Sequence, residues 1–584
     1  MDDDRMTNEE NYAFDVAGYL VLKGVLKPAE VDALNTVLDD AKETSGMLAW
    51  PEGRREPFRD LLVHPLLVWY LNQVCGVGFR LEHLPRLLTN ADSADTPFGE
   101  PLTGGDEPRD QSRAYFHQNQ VRQCQFVRAI WALEDVGPDD GGLFVVPCTH
   151  KENVETPEDL RNGIDDMGLV KQVVLEKGDL LILSDTVLRG FRPWTGQGKM
   201  RLLDYGFAAR GVIHSTGTGE MVDSDPYPEW KRELSEEGRA ATYVPGYAHA
   251  TPPPTILGDG TSNRVADHRD LYHPGIYKLD PGNIDLKEFY FWDLNGYLVI
   301  RNIMSRDDIE LANEAIDRFS DRIVVGDELS RGSKSLAGTG RPLLGALMEL
   351  PKPYCEPFRR MVGHPAITHR LTWMGGSGFR CGGPTAFLSV KGSTGHALHD
   401  SNEPLNPSRS YVFKNGRSYC EAVTIAWQLR DVDEDDGGFA CVPGSHKAQY
   451  PIPPGVRSCD DHMDLVAHPT FKAGDVLFFM DGALTHGALA WQSDVGRRGI
   501  LIKYSARNFN RSGGDMCHPE NRWGPEIEGM TDEQLSIMRG PDRDNRRGNV
   551  PRLDIVDGEV RVNYDRAGGL YSTATPDGPV AKDR

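Results

Sequence analysis

The chain has 584 residues, of which 39% are hydrophobic; 87 are acidic and 64 basic, a formal net charge of −23. That is apolar enough for packed cores, is not the composition of a disordered chain, and is long enough for more than one domain. The acidic balance argues against non-specific binding to nucleic acid or to anionic membrane, both of which need a basic face.

Read from the start, "MDDDRMTNEENYAF" is polar and acidic, with no apolar stretch of the kind a secretory leader needs. No run approaches 18 consecutive apolar residues, so no membrane span is expected. The nine cysteines are scattered, odd in number and never spaced CxxC. This suits reduced thiols in the cytoplasm better than a disulfide framework or a zinc site.

The chain then repeats itself. "DVAGYLVLKGVL" from Asp15 returns as "DLNGYLVIRNIM" from Asp293. "WALEDVGPDDGGLFVVPCTHK" from Trp131 returns without a gap as "WQLRDVDEDDGGFACVPGSHK" from Trp427, and "KGDLLILSD" returns as "AGDVLFFMD", matching Asp185 to Asp481. A unit of about 280 residues used twice is too long for a solenoid and fits a duplicated globular domain. The expected divisions are a first unit over 1–248, a linker over 249–280, a second unit over 281–540 and a charged, glycine-rich tail over 541–584. The linker contains "HATPPPTILGDGTSN", which lacks any apolar period.

Each unit is expected to open with a short strand and then a helix. In the second, Ser305 and Asp308 form a capping pair, and Ile309, Ala312, Ile316 and Phe319 make one apolar stripe. The middle of each unit is β. "TIAWQL" and "VLFFM" are short apolar runs bounded by the turn signals "DEDDGG", "PGS" and "AGD". Many short strands punctuated this way predict a sandwich or barrel, mainly β with flanking helices.

In the second unit three residues stand out. His399 lies just before the β core, His486 follows the strand "VLFFM", and Arg497 opens the next apolar run. Two histidines on neighbouring strands can share one iron through their imidazoles, and an arginine one strand on can grip a carboxylate bidentately.

These segments, "DVDEDDGGFACVPGSHK", "GDVLFF", "LTHGALAW" and "RRGILIKYS", in fixed order, resemble the phytanoyl-CoA dioxygenase family of Fe(II)/2-oxoglutarate-dependent oxygenases. The resemblance covers most of both units. It implies two double-stranded β-helix (jelly-roll) domains in tandem. It implies iron held by a His-x-Asp pair and a distal histidine, with 2-oxoglutarate as co-substrate bound to the iron and to an arginine. His486 matches the distal histidine and Arg497 the co-substrate arginine, with Arg498 the adjacent alternative. The implied reaction uses dioxygen, converts 2-oxoglutarate to succinate and CO2, and by default hydroxylates a C–H bond of a small organic substrate.

The His-x-Asp pair departs from the pattern, because His399 is followed directly by Asp400 and then by Ser401. A regular strand would aim Asp400 at the opposite face. Three readings stand open. A bulge or turn swings Asp400 in; or Ser401 holds the carboxylate's place, as in the family's halogenases, with an anion or water on the metal; or His396 is the ligand. In the first unit, "YFHQNQ" offers His117 and Asn119 at that place. Registering Trp194 on Trp491 and Arg210 on Arg507 sets Arg189 opposite His486 and Met200 opposite Arg497. The first unit is therefore expected to be a non-catalytic copy, and its pairing with the second resembles a homodimer interface.

Residues that persist in both copies favour structural roles. His150 and His446 read as turn-stabilising, His64 and His364 as helix-start residues, Trp131 and Trp427 as core, and Asp185 and Asp481 as structural. The rivals to a hydroxylase are a halogenase-like variant and a binding or scaffold protein with two dead barrels. A small-molecule carrier is a weaker one.

Overall fold

A computed structural model describes residues 5–90, 102–105, 113–118, 121–209, 229–242, 285–326, 330–375, 379–400, 409–414, 417–420, 422–505, 528–531, 534, 537–538, 552–556 and 559–563. The chain divides into two compact units, Met1–Lys278 and Leu279–Arg584. The expected linker over 249–280 lies outside the described residues, as do Asn119 and Ser401. Within the tail, Arg552–Val556 and Glu559–Asn563 pair as an antiparallel hairpin. Among the described residues no helix is long and apolar enough to cross a membrane. The eight described cysteines are all buried free thiols.

Each unit opens with a helix before its first strand, which the sequence reading missed. Helices Asn8–Ala17 and Leu286–Asn295 end on Gly18 and Gly296 in the left-handed conformation, at φ 84° and 79°. A side chain at either glycine would collide with a histidine ring, His150 or His446. Each of those histidines bonds through Nε2, at 2.9 Å, to the carbonyl of the aspartate that starts its repeat, Asp15 or Asp293. Their persistence in both copies thus reflects one helix-to-strand corner built twice. Ser305 accepts from the Asp308 amide at 3.2 Å, and Ala312 and Ile316 of helix Arg306–Arg318 are buried, as expected. His364 accepts from the Ala366 amide at 3.2 Å and packs edge-on to Trp427, as His64 packs on Trp131.

The first unit contains β1 (Tyr19–Leu22), β2 (Arg80–Thr89), β3 (Tyr115–Gln118), β4 (Val121–Cys124), β5 (Phe126–Ala132), β6 (Gly142–Val146), β7 (Lys171–Gln172), β8 (Leu180–Ser184), β9 (Leu188–Arg192) and β10 (Arg201–Ala208). The larger sheet runs β1-β8-β5-β10-β2, the smaller β7-β6-β9, and β3 pairs β4.

The second unit contains β11 (Tyr297–Ile300), β12 (Val324–Val325), β13 (Pro342–Leu344), β14 (Arg380–Cys381), β15 (Thr385–Ser389), β16 (His396–His399), β17 (Tyr411–Lys414), β18 (Arg417–Cys420), β19 (Ala422–Gln428), β20 (Gly438–Cys441), β21 (Val476–Met480), β22 (His486–Leu489) and β23 (Arg497–Ser505). Its larger sheet runs β11-β21-β19-β23-β15-β13-β12 and its smaller one β16-β22-β20. The first five strands of that path repeat the order of the first unit's larger sheet. All these named-strand pairings are antiparallel, and those that build the large sheet from β11 to β15 and the β20–β22 pair leap along the sequence, the topology of a jelly roll.

Strands β19 and β21 are buried along their whole length. Both faces of the large sheet are covered, which is why these strands read as continuous apolar runs rather than alternating ones. One core joins Trp427, Phe478 and Ile502 of the sheet to Ile316, Phe358 and Leu371 of the helices. The "DDGG" turn before β20 needs its glycines. Gly437 has φ 89°, and a Cβ there would lie 2.2 Å from the Ala490 carbonyl oxygen.

Candidate active site

Strand β16 pairs β22 with His396 opposite Ala488 and His399 opposite His486. Three steps on β16 match two on β22, so one residue is bulged out. In a regular strand an odd spacing sends two side chains to opposite faces; the bulge restores them to the same face. The His396 and His399 ring centroids are 4.1 Å apart, and those of His399 and His486 are 4.5 Å apart.

Strand β16 ends at His399, and Asp400 sits at φ 73° in the left-handed region. That turn aims the carboxylate back toward the histidines, with Oδ2 3.5 Å from His399 Nε2. One ligand atom from each of His399, Asp400 and His486 lies within 4.8 Å of the others. The missing spacer of the expected His-x-Asp pair is thus replaced by a backbone reversal.

Each histidine is oriented from behind. His399 Nδ1 bonds the Ala397 carbonyl at 3.1 Å, and His486 Nδ1 bonds the Leu484 carbonyl at 2.8 Å. A carbonyl only accepts, so Nδ1 carries the proton and Nε2 keeps its lone pair for a metal. Burial, and then the nearby His486, push His399 below its ordinary pKa against the opposing Asp400, favouring the neutral form that ligates. Two imidazoles and a carboxylate fit iron(II), as in the two-histidine, one-carboxylate triad.

His396, His399 and His486 form one wall of a cavity of about 260 Å3 between the two sheets, with Asp400 beside His399. Arg497, Arg341, Phe387, Phe439, Asp481 and Lys503 also line it. Arg497 is 9% exposed, and its Nε is buried without a hydrogen-bond partner. No carboxylate pairs with it among the described residues.

Arg498 differs sharply from its neighbour. Consecutive residues on β23 point to opposite faces, so Arg498 leaves the cavity for helix Arg306–Arg318. Its Nη1 bonds the Asn313 carbonyl and Oδ1, both at 3.0 Å, and Nη2 bonds Asp317. Arg201 makes the matching contacts to Asn35 and Asp39 in the first unit. Arg498 is therefore a strut between sheet and helix and not a co-substrate residue. Arg498→Gln is expected to cost about 1 kcal/mol of stability and leave keto-acid binding unchanged, as read by chemical denaturation and ligand titration.

Asp481, read from the sequence as structural, lies on the cavity. It accepts from the Thr424 hydroxyl, and its Oδ1 is 3.9 Å from His486 Nε2. Its persistence in the first copy hid this position, because there the same residue takes another partner.

The ladder β6–β9 of the first unit matches β20–β22 of the second, with Val145 opposite Arg189 where Cys441 is opposite His486. Arg189 therefore occupies the place of His486, as expected, and Met200 that of Arg497. The counterpart of His399 differs from the expected His117. The residue bridged to Arg189 is Thr103, followed by Gly104 at φ 95°, the equivalent of Asp400. His117 lies on β3, in the hairpin matching β17–β18. Arg189 Nη2 bonds Asp185 at 2.8 Å, and Arg128 and Arg113 bond the same carboxylate at 2.6 and 3.1 Å.

The Phytanoyl-CoA dioxygenase (PhyH) family model matches residues 14–197 and 292–499, most of the chain and both units. No curated protein matches. Among solved structures, HygX from Streptomyces hygroscopicus with nickel and 2-oxoglutarate bound is 24% identical, with a TM-score of 0.31 over 35% of this chain and 88% of that one. The non-heme alpha ketoglutarate dependent epimerase SnoN from nogalamycin biosynthesis is 20% identical, with a TM-score of 0.29 over 38% of this chain and 83% of that one. The chain, with its duplicated antiparallel jelly roll, belongs to the phytanoyl-CoA dioxygenase family of Fe(II)/2-oxoglutarate-dependent oxygenases.

Proposed function

We propose that this protein hydroxylates a small organic substrate at its second unit, with Fe(II) and 2-oxoglutarate as cofactor and co-substrate, and that its first unit is non-catalytic. The observation behind this reading is a cavity with the His399 and His486 imidazoles on one wall, the Asp400 carboxylate within ligand reach of both, and a buried arginine on another wall with no carboxylate partner among the described residues. His399, Asp400 and His486 would hold the metal, and Arg497 would take the distal carboxylate of 2-oxoglutarate. Bound iron would supply the site for dioxygen activation. Overall, 2-oxoglutarate, O2 and R–H become succinate, CO2 and R–OH.

The chain's own residues do the positioning. The carbonyls of Ala397 and Leu484 lock both imidazoles in the ligating tautomer. Phe387, Phe439 and Phe479 wall the cavity with apolar rings that limit water. The nearby Asp400 carboxylate favours the hydroxylase over the halogenase-like reading, in which that place holds no carboxylate. A scaffold role suits the first unit, where Thr103, Gly104, Arg189 and Met200 replace all four groups.

The test is anaerobic addition of Fe(II) and then 2-oxoglutarate to the full chain. A visible iron-to-keto-acid charge-transfer band is expected, unaltered by chloride. Absence of the band, with no iron retained, would sink the oxygenase reading.

A further inference from the structure

Two cations besides Arg497 line the cavity: Lys503, whose Nζ lies 3.5 Å from Asp481 Oδ2, and Arg341. Arg341 lies immediately before β13, and its carbonyl accepts from the Gly326 amide at 2.8 Å. Strand β13 pairs β15 with Leu343 opposite Phe387 and Leu344 opposite Ala386. Continuing that register brings Arg341 level with Ser389, and Ser389 pairs with Arg497 on β23. Residues level across antiparallel strands project from the same face. Arg341 and Arg497 thus flank Ser389 in one row, about 10 Å apart at the backbone, with long side chains reaching the same cavity. The Arg341 guanidinium carbon lies 5.6 Å from the Phe387 ring centroid, which places it along the cavity wall.

Neither arginine has a carboxylate partner among the described residues. Burial, and then the Arg341 charge, pull Arg497 down to about 10, and burial lowers Arg341 as well. Two neighbouring unpaired cations in a partly dry cavity are unfavourable unless an anion completes them. A carboxylate offers about four lone-pair sites on two oxygens, enough for two guanidinium forks.

We propose that Arg341 and Arg497 form a two-arginine clamp on the distal carboxylate of 2-oxoglutarate, so that Arg341 is a second co-substrate-binding residue. This rests on the function proposed above. The clamp strengthens selection for a five-carbon keto diacid, because a keto acid without the distal charge leaves two cations facing each other.

The test titrates the anaerobic iron protein by its charge-transfer band, using 2-oxoglutarate and, separately, 2-oxopentanoate, which carries a methyl in place of the distal carboxylate. In Arg341→Gln the half-saturating 2-oxoglutarate is expected to rise about 10- to 100-fold, with 2-oxopentanoate unchanged. Arg341→Lys should recover part of the loss. The double variant with Arg497→Gln should lose less than the two single effects multiplied, since both grip one group. An Arg341→Gln protein that titrates like the parent overturns the clamp, as does equal weakening for both keto acids. A parent protein with no band fails the functional reading and the clamp with it, whereas an unchanged titration on a working site fails the clamp alone.

Discussion

His486→Ala is expected to abolish retention of Fe(II) and the charge-transfer band while leaving a folded protein. His486 is one of three candidate ligands, and the orienting bond from Leu484 serves only its ring. Loss of an outer-shell partner typically weakens metal binding about 10- to 100-fold, so loss of a ligand should exceed 100-fold. The ring packs on Phe479 and His399, and a modest cavity is the structural consequence. His486→Arg sharpens the test, because it rebuilds the first unit's arrangement, in which Arg189 pairs with Asp185. That variant should fold, pair with Asp481 and hold no iron. Metal analysis after desalting checks both. Parent-like iron content in His486→Ala would place the metal on other groups, with His396 and Asp481 the nearest.

Asp185→Asn is expected to destabilise the first unit by about 3–5 kcal/mol without altering the iron site. Asp185 is fully buried and holds Arg113, Arg128 and Arg189. Burial alone would raise its carboxyl pKa, but the three guanidinium groups outweigh it and hold the carboxyl far below the usual range. Removing the charge strands buried Arg189 beside half-buried Arg128, with Asp204 as the remaining partner of Arg128. The pH dependence has a defined sign. A depressed folded pKa contributes stability that is complete above the unfolded value of about 3.9 and is lost as pH falls below it. Denaturant unfolding at pH 7 and pH 3 should show a gap between parent and variant that shrinks in acid. Equal stability of the two proteins at pH 7 would refute the cluster's structural role.

The duplication, the β core and the two histidines were legible in the sequence because each is local or repetitive. An apolar run such as "VLFFM", preceded by "AGD" and followed by "DGA", reads as a buried strand. His486 stood out because its aligned partner is an arginine. Arg498 was not separable from Arg497, since adjacent residues on a strand differ only in the face they choose. That choice was set by pairing Ser389 with Arg497, which turned Arg498 toward Asn313 and Asp317.

The first-unit counterpart of His399 was misplaced for a related reason. The spacing from this position to the core is the same in both copies, from Thr103 to Trp131 and from His399 to Trp427, but Thr103 shares no side-chain chemistry with histidine, whereas His117 does. The available signal was conformational: Gly104 permits the left-handed backbone that Asp400 adopts in the other copy. Arg341 was missed because it lies far from the motifs and meets them only through the pairing of β13 with β15.

By itself the sequence determined that two like domains are strung together and built of buried strands, and it raised the expectation that the first has lost the distal histidine. These follow from composition, period and comparison of the copies, none of which requires knowing where a side chain points. The tertiary structure decided that Asp400 reaches the histidines, that Arg497 and not Arg498 faces the cavity, and that Asp481 and Arg341 join it. Those outcomes depend on one bulged residue, one left-handed turn and the register of three strands, and a one-residue slip in any of them sends a side chain to the opposite face.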